Sequence, residues 1–246
     1  MKTYRDDAIV LRCHDLGEAD RIITMLSRHN GKVRAVAKGV RRTKSRFGAR
    51  VEPFSMVDVQ LYRGRTLDTI TQVESRNQYG RTLVEDYDSY TCASAMLELA
   101  DRLTGEDPDP AQFALLHGAL HALATRAHIP SLVLNSYMLR AMALSGWELA
   151  VFECAKCGAP GPHEAFHVQS GGAVCDDCRP AGSTIPSVEA WQLIGALSVG
   201  DWAIADASIP AARRQAAPLI GAFVQWQLES KVKSLALVSA EGGGHG

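Results

Sequence analysis

No apolar run in this chain approaches the ~18 residues that a membrane-crossing helix requires. The first residues, MKTYRDDAIVL, hold neither an apolar signal core nor a small-residue cleavage site, so a cytosolic protein is expected. There is no G-x-x-x-x-G-K-[ST] phosphate loop and no G-x-S-x-G nucleophile elbow, hence no sign of an ATPase motor or of a serine hydrolase of that class. The H-x-E plus P-C-x-x-C signature of zinc deaminases is missing too. A non-enzymatic protein is expected on these grounds. In a cytosolic setting the six cysteines are expected as thiols or metal ligands, not disulfides. Net charge is nearly absent, at −1 over 246 residues, while 46% hydrophobic residues are ample for packed cores.

The small net charge hides two unlike halves. Residues 1–80 hold 16 Lys and Arg against 9 Asp and Glu, a balance of +7. Residues 81–246 hold 10 against 18, a balance of −8. Such an asymmetry suggests that the first half faces a polyanion. Within it, the stretch KVRAVAKGVRRTKSRFGAR from Lys32 to Arg50 contains no acid; the next is Glu52. Its eight cations are Lys32, Arg34, Lys38, Arg41, Arg42, Lys44, Arg46 and Arg50. Charges this dense repel unless an anion neutralises them, and for a soluble protein the first polyanion to consider is nucleic acid. The plainer reading is a solvated basic loop without a partner.

Residues 8–74 read as five short strands: Ala8–Cys13, Ile22–Ser27, Lys32–Lys38, Val57–Tyr62 and Leu67–Val73. His29-Asn30-Gly31 is a turn signal between the second and third. In the third, period two puts Val33, Ala35 and Ala37 on one face and Arg34, Val36 and Lys38 on the other, so one side would be buried and the other cationic. Five short strands in this span suit a five-stranded OB-fold barrel, a nucleic-acid-binding architecture. Phe47 and Phe54 flank the end of the basic loop; core positions are the commoner fate of such residues, and base stacking is the alternative.

From about residue 81 the period becomes helical. Helices are expected over Asp86–Leu103, around Phe113, Leu116, Leu120 and Leu123, from Pro130 to Gly146, and over Val188–Val199 with Trp191, Ile194 and Leu197 inward. A last helix is expected over Pro218–Leu237, with Pro218 in its first turn and Phe223 and Trp226 toward the core. The Gly-rich tail 241–246 is expected to be disordered. The expected class is therefore α+β multidomain: an OB-fold barrel over 1–80, then a helical bundle over 81–240 with an embedded zinc-ribbon-like module near 150–182.

That module rests on Cys154-Ala-Lys-Cys157 and Cys175-Asp-Asp-Cys178. Each C-x-x-C turn offers two sulfurs, and two such knuckles make a tetrahedral thiolate cage. One structural zinc ion per chain is expected, since four thiolates leave no open coordination position for catalysis. A redox role for the pairs is the weaker alternative. Cys13 and Cys92 lack such partners and read as small buried side chains. Inside the module, His163-Glu164-Ala165-Phe166-His167 matches H-E-x-x-H, but the flanking Pro160, Pro162, Gly171 and Gly172 oppose the helix that motif needs. His117 and His121 stand four apart without an evident third ligand, which favours ordinary packing.

Several of these segments together resemble one family. They are Gly17-Glu18-Ala19-Asp20-Arg21-Ile22-Ile23-Thr24, Gly31-Lys32, Ala37-Lys38-Gly39-Val40-Arg41-Arg42, Lys44-Ser45-Arg46-Phe47, Pro53-Phe54 and Lys233-Ser234-Leu235, with the paired knuckles. In this order, over nearly the whole chain, they resemble the RecO family of bacterial DNA repair proteins and recombination mediators. The resemblance implies an N-terminal OB-fold, a helical C-terminal domain and a zinc module. It further implies binding of single- and double-stranded DNA, annealing of complementary strands, and action with RecR in loading RecA onto DNA coated by single-strand-binding protein. The helical part would hold the tail of that protein, with Arg126, Arg140, Lys231 and Lys233 as available cations. The cellular place implied is the cytoplasm, on the nucleoid. The main rival is a zinc-ribbon transcription regulator that reads duplex DNA; it requires a recognition helix or base-reading fork, and none is legible.

Overall fold

The computed structural model describes residues 2–43, 45 and 47–228. By compactness the chain divides into two units, residues 1–125 and 126–246. The first carries five strands, β1 (Thr3–Leu16), β2 (Asp20–Ser27), β3 (Gly31–Ala37), β4 (Ser55–Tyr62) and β5 (Asp68–Gln78). They close into a barrel in the order β1-β2-β3-β5-β4. All neighbours are antiparallel except β3 and β5, which run parallel through Ala35↔Asp68 and Val36↔Thr69. The five-stranded OB-like fold expected from the sequence is present.

Alternation of side chains decides what the barrel holds. Val10, Ile23, Met25, Val33, Ala35, Ala37, Val57, Val59, Leu61 and Ile70 point inward and are buried. Each larger aliphatic contributes about 1.5–3 kcal/mol by leaving water. On β3 the inward set is the one its period-two pattern predicts, and Arg34 stands exposed on the other face. Phe47 and Phe54 are both buried; Phe54 also packs against Tyr90, with ring centroids 5.5 Å apart. The base-stacking alternative for these two residues is thereby set aside.

The same unit holds α1 (Tyr79–Leu83), α2 (Tyr87–Leu103) and α3 (Pro110–Ala124). Asp86 caps α2 by accepting from the Ser89 N–H, and Asp109 caps α3 by accepting from the Gln112 N–H, with Pro110 opening the first turn. The expected stripe Phe113, Leu116, Leu120 and Leu123 is buried throughout. Compactness thus groups α2 and α3 with the barrel, a different partition from the change of sequence pattern near residue 80.

The second unit holds α4 (Pro130–Leu144), the hairpin β6 (Ala165–His167) and β7 (Gly172–Val174), then α5 (Val188–Val199), α6 (Trp202–Ala207) and α7 (Pro210–Gln227). Ser187 caps α5 by accepting from the Ala190 N–H. Two expectations for the last helix are corrected. It starts at Pro210, and Pro218 lies in its interior. The buried stripe Ala212, Ala216, Ile220, Phe223 and Val224 runs on both sides of that proline, so burial outweighs the ~3 kcal/mol cost of an internal proline. Trp226, expected in the core, is 50% exposed, whereas Phe223 is buried. Trp191 is only half-buried, and its indole N–H donates to the Glu164 carbonyl at 3.0 Å. The short α1 and α6 were not legible from periodicity. The expected continuation of the last helix to Leu237, the cations Lys231 and Lys233, and the tail 241–246 lie outside the described residues. No helix among the described residues is long and apolar enough to cross a membrane.

Candidate nucleic-acid interface and metal centre

The eight cations of the basic stretch do not share one environment. Lys32 is drawn against α2: its ammonium donates to the Asp101 carbonyl at 2.6 Å and lies 3.3 Å from the Asp101 carboxylate. Arg12 binds the same carboxylate at 3.1 Å. Arg34 and Lys38 stand exposed on the outer side of β3 and at its end. Arg41 leans on the turn between β1 and β2, donating to the Gly17 carbonyl at 3.2 Å and lying 3.3 Å from Asp15. The start of the β3–β4 loop is tied to that turn, because the Gly39 N–H donates to Asp20 and the Arg41 N–H to the Ala19 carbonyl. Arg42 and Arg50 are exposed. Lys44 and Arg46 lie outside the described residues. Among the described residues, Arg34, Lys38 and Arg42 form no ion pair, and neither do Arg63 and Arg65 on the loop between β4 and β5. The last two were missed by the sequence reading, because they fall outside the acid-free run and only the closing of the barrel brings their loop beside β3.

The opposite side of the barrel is neutralised internally. Asp58, with a side chain only 8% exposed, holds Arg5 and Arg76, and Arg5 also reaches Glu74 at 3.3 Å. Asp7 lies 3.7 Å from Arg76 and 4.0 Å from Arg28. The Arg5 guanidinium holds the Asp58 carboxyl below the usual carboxylate range, against the opposing effect of burial. For Asp6, burial alone would raise the pKa, but hydrogen bonds from Asn30 and His29 outweigh it and the net shift is downward.

In the second unit, the sulfurs of Cys154, Cys157, Cys175 and Cys178 all lie within 4.8 Å of one another. Cys157 and Cys175 are 3.8 Å apart at sulfur. Tetrahedral zinc with Zn–S bonds of ~2.3 Å sets its sulfurs about 3.8 Å apart, so the cage fits such an ion. Each knuckle is closed by backbone: the Gly158 N–H donates to the Cys154 carbonyl at 2.8 Å and the Cys178 N–H to the Cys175 carbonyl at 3.1 Å. Gly158 takes a φ of +70°, a conformation that favours glycine. The Cys175 N–H, with those of Cys157 and Lys156, holds the Cys154 thiol down to about 6. Its neighbours Cys175 and Cys157 push the Cys178 thiol up to about 12, because thiolates this close cannot all ionise without a cation among them. The apolar cluster at the cage itself is small, with Cys154, Ala165 and Val174 as its buried members, while buried Phe166 and Ala173 and the β6–β7 pairing hold the rest of the module. The four cysteines can therefore hold a metal ion.

The other histidine patterns have ordinary partners. The His163 ring meets the Ala159 carbonyl, and His167 ends a strand with its ring on the Ser170 hydroxyl, so H-E-x-x-H does not sit on a helix. His117 shares a hydrogen bond with the Tyr79 hydroxyl at 2.9 Å and stacks on Phe113. The Cys13 thiol donates to the Val51 carbonyl, and Cys92 is buried.

Family models described as "Recombination protein O N terminal" and "Recombination protein O C terminal" match residues 1–79 and 84–236. The chain belongs to the RecO family. It is also 55% identical over 240 residues to the DNA repair protein RecO of Thermobifida fusca (strain YX), covering 97% of this chain and 99% of that protein. RecO membership supports a general role in DNA repair and recombination. The barrel and the helices that follow it are the parts the two family models span.

Proposed function

We propose that this protein is a non-enzymatic recombination mediator that binds single- and double-stranded DNA through the outer side of β3 and the loop that follows. In this reading Arg34, Lys38, Arg41, Arg42 and Arg50, with Lys44 and Arg46 of the same loop, neutralise phosphates; Lys32, already engaged by Asp101, contributes less. The supporting observation is the exposed group Arg34, Lys38 and Arg42, which no carboxylate of the described chain neutralises. Two strands anneal when their charges are screened at short range, and base pairing then supplies the driving force without a nucleotide. Family membership supports the rest of the reading: action with RecR to load RecA onto DNA coated by single-strand-binding protein, whose tail the helical part would hold, in the cytoplasm on the nucleoid. The thiolate cage would hold one zinc ion that cross-links the 150–182 module and takes no part in chemistry.

The direct test is annealing of complementary oligonucleotides precoated with the cognate single-strand-binding protein, without nucleotide. Faster annealing with wild-type protein, lost on charge reversal of Arg41 and Arg42, supports the mediator. No acceleration, together with preference for one duplex sequence in a mobility-shift comparison, would replace it with a sequence-reading regulator.

A further inference from the structure

Both aromatic residues that flank the basic loop are buried, so a single strand bound along β3 must find its stacking partner elsewhere. The barrel register supplies one. Tyr62 pairs with Thr69 across β4 and β5, Thr69 pairs with Val36 across β5 and β3, and Val36 pairs with Ile22 across β3 and β2. Directly opposed residues share a face of the sheet. Their neighbours Leu61, Ile70, Ala35 and Ile23 point into the core. The row Tyr62-Thr69-Val36-Ile22 therefore lies on the outer surface. Tyr62 is 43% exposed, and of the Phe, Tyr and Trp residues on the described barrel strands it is the exposed one.

Cations flank this row. Arg34 on β3 and Lys38 just past its end stand two residues either side of Val36. Arg63, which follows Tyr62, turns to the other face: it lies 4.8 Å over the Tyr4 ring, which packs against the core beside Leu61, and donates to the Asn30 side chain. The loop that continues to exposed Arg65 is pinned: the Gly64 N–H donates to Asp68 at 2.9 Å, and a Cβ on Gly64 would meet the Leu67 carbonyl at 1.9 Å. An exposed ring on a strand, with cations that lack carboxylate partners on the same surface, is what single-stranded nucleic acid binds: the π face takes a base and the cations take phosphates of the same strand.

We infer that Tyr62 is the base-stacking platform of the barrel, that it takes an unpaired base of a single strand of any sequence, and that the outward cations Arg34 and Lys38 hold the phosphates of that strand. The inference rests on the proposed DNA-binding reading of β3. It gives the same surface two modes, because a duplex keeps its bases stacked inside and offers the ring only phosphates.

The test compares wild type with Tyr62→Ala, Tyr62→Leu and Tyr62→Phe on a short oligothymidylate, the same oligomer with abasic residues, and a duplex. For Tyr62→Ala the expected result is about tenfold weaker binding to the oligothymidylate, roughly one lost base–aromatic stack. Its salt dependence, duplex affinity and abasic-oligomer affinity should match wild type. Tyr62→Phe should bind like wild type; Tyr62→Leu, which keeps the apolar area without the π face, should bind like Tyr62→Ala and covers the case in which the alanine variant fails to fold. Unchanged oligothymidylate affinity in the alanine and leucine variants, or an equal loss on all three ligands, would overturn the platform. Arg41→Glu/Arg42→Glu is measured in parallel. If it loses binding while the Tyr62 variants keep it, the platform fails and the basic-surface reading stands; if it also keeps binding, both fail.

Discussion

On the outer side of β1, β4 and β5, Arg5 and Arg76, with Arg28 of the turn after β2, stand against Asp7, Asp58 and Glu74. On the outer side of β3 and at its end, Arg34, Lys38 and Arg42 have no carboxylate among the described residues. One barrel thus carries two cationic sets, of which one is internally neutralised and the other is left to solvent or to a ligand. Cation count alone does not separate them; the position of the acids does. Asp58 is the hinge of the contrast, because it occupies two arginines from a nearly buried position.

The contrast is broken most strongly by reversing charge at open Arg42 together with its neighbour Arg41, whose partner Asp15 is itself exposed. Arg41→Glu/Arg42→Glu should weaken binding to several unrelated oligonucleotides alike, on the order of 100-fold at about 1.5 kcal/mol per charge-assisted contact. Arg126→Glu/Arg140→Glu, in the acidic second unit, should leave affinity close to wild type. Mobility shifts on a panel of sequences check both; equal losses from the two double variants would move the DNA surface away from the barrel.

A smaller effect is expected on the neutralised side. Asp58→Asn should cost about 1 kcal/mol of stability, a figure held down because Arg5 and Arg76 are half-exposed and solvent screens them. It should not weaken DNA binding, and it frees two cations. Urea unfolding measured beside oligonucleotide affinity checks this; lost affinity at unchanged stability would mean that this side, too, faces DNA.

The pH dependence sharpens the same point. The folded-state pKa values of Asp58 and Asp6 are lowered, so their contribution is present above the unfolded-state value of ~3.9 and is lost as pH falls through the folded values. Wild type and Asp58→Asn should therefore converge in urea midpoint as the pH is taken below about 4. A stability gap that persists in acid would show that Asp58 acts through something other than its charge.

The least effect on the barrel should come from the metal centre. Cys175→Ser should lower metal content and raise hydrogen exchange over residues 150–180 while leaving oligonucleotide affinity nearly unchanged. Elemental analysis and exchange measurements read this out; wild-type protein fully folded with no bound metal would leave the cysteines without a structural role.

What the sequence made legible follows from local rules. The inward set of β3 came from the period-two placing of Val33, Ala35 and Ala37, and α5 from the period of Ile194 and Leu197, although Trp191 of the same expected stripe is only half-buried. The thiolate cage came from two knuckles whose spacing is itself the geometry. The failures are tertiary. Pro218 reads locally as a helix start, but a buried stripe on both sides carries the helix through it. Lys32 belongs to the basic run by sequence and to Asp101 by folding. Tyr62 joins the β3 surface only through the parallel pairing of β3 with β5, a contact between strands distant in the chain.

The central claim is that the open cations of the barrel bind phosphate, and its most direct measurement is the salt dependence of single-strand binding. If about five cations each displace a counterion, the slope of log K against log salt should be roughly −3.5 for wild type and should flatten by about 1.4 when Arg41 and Arg42 are reversed. A slope near zero in the wild-type protein would contradict the account.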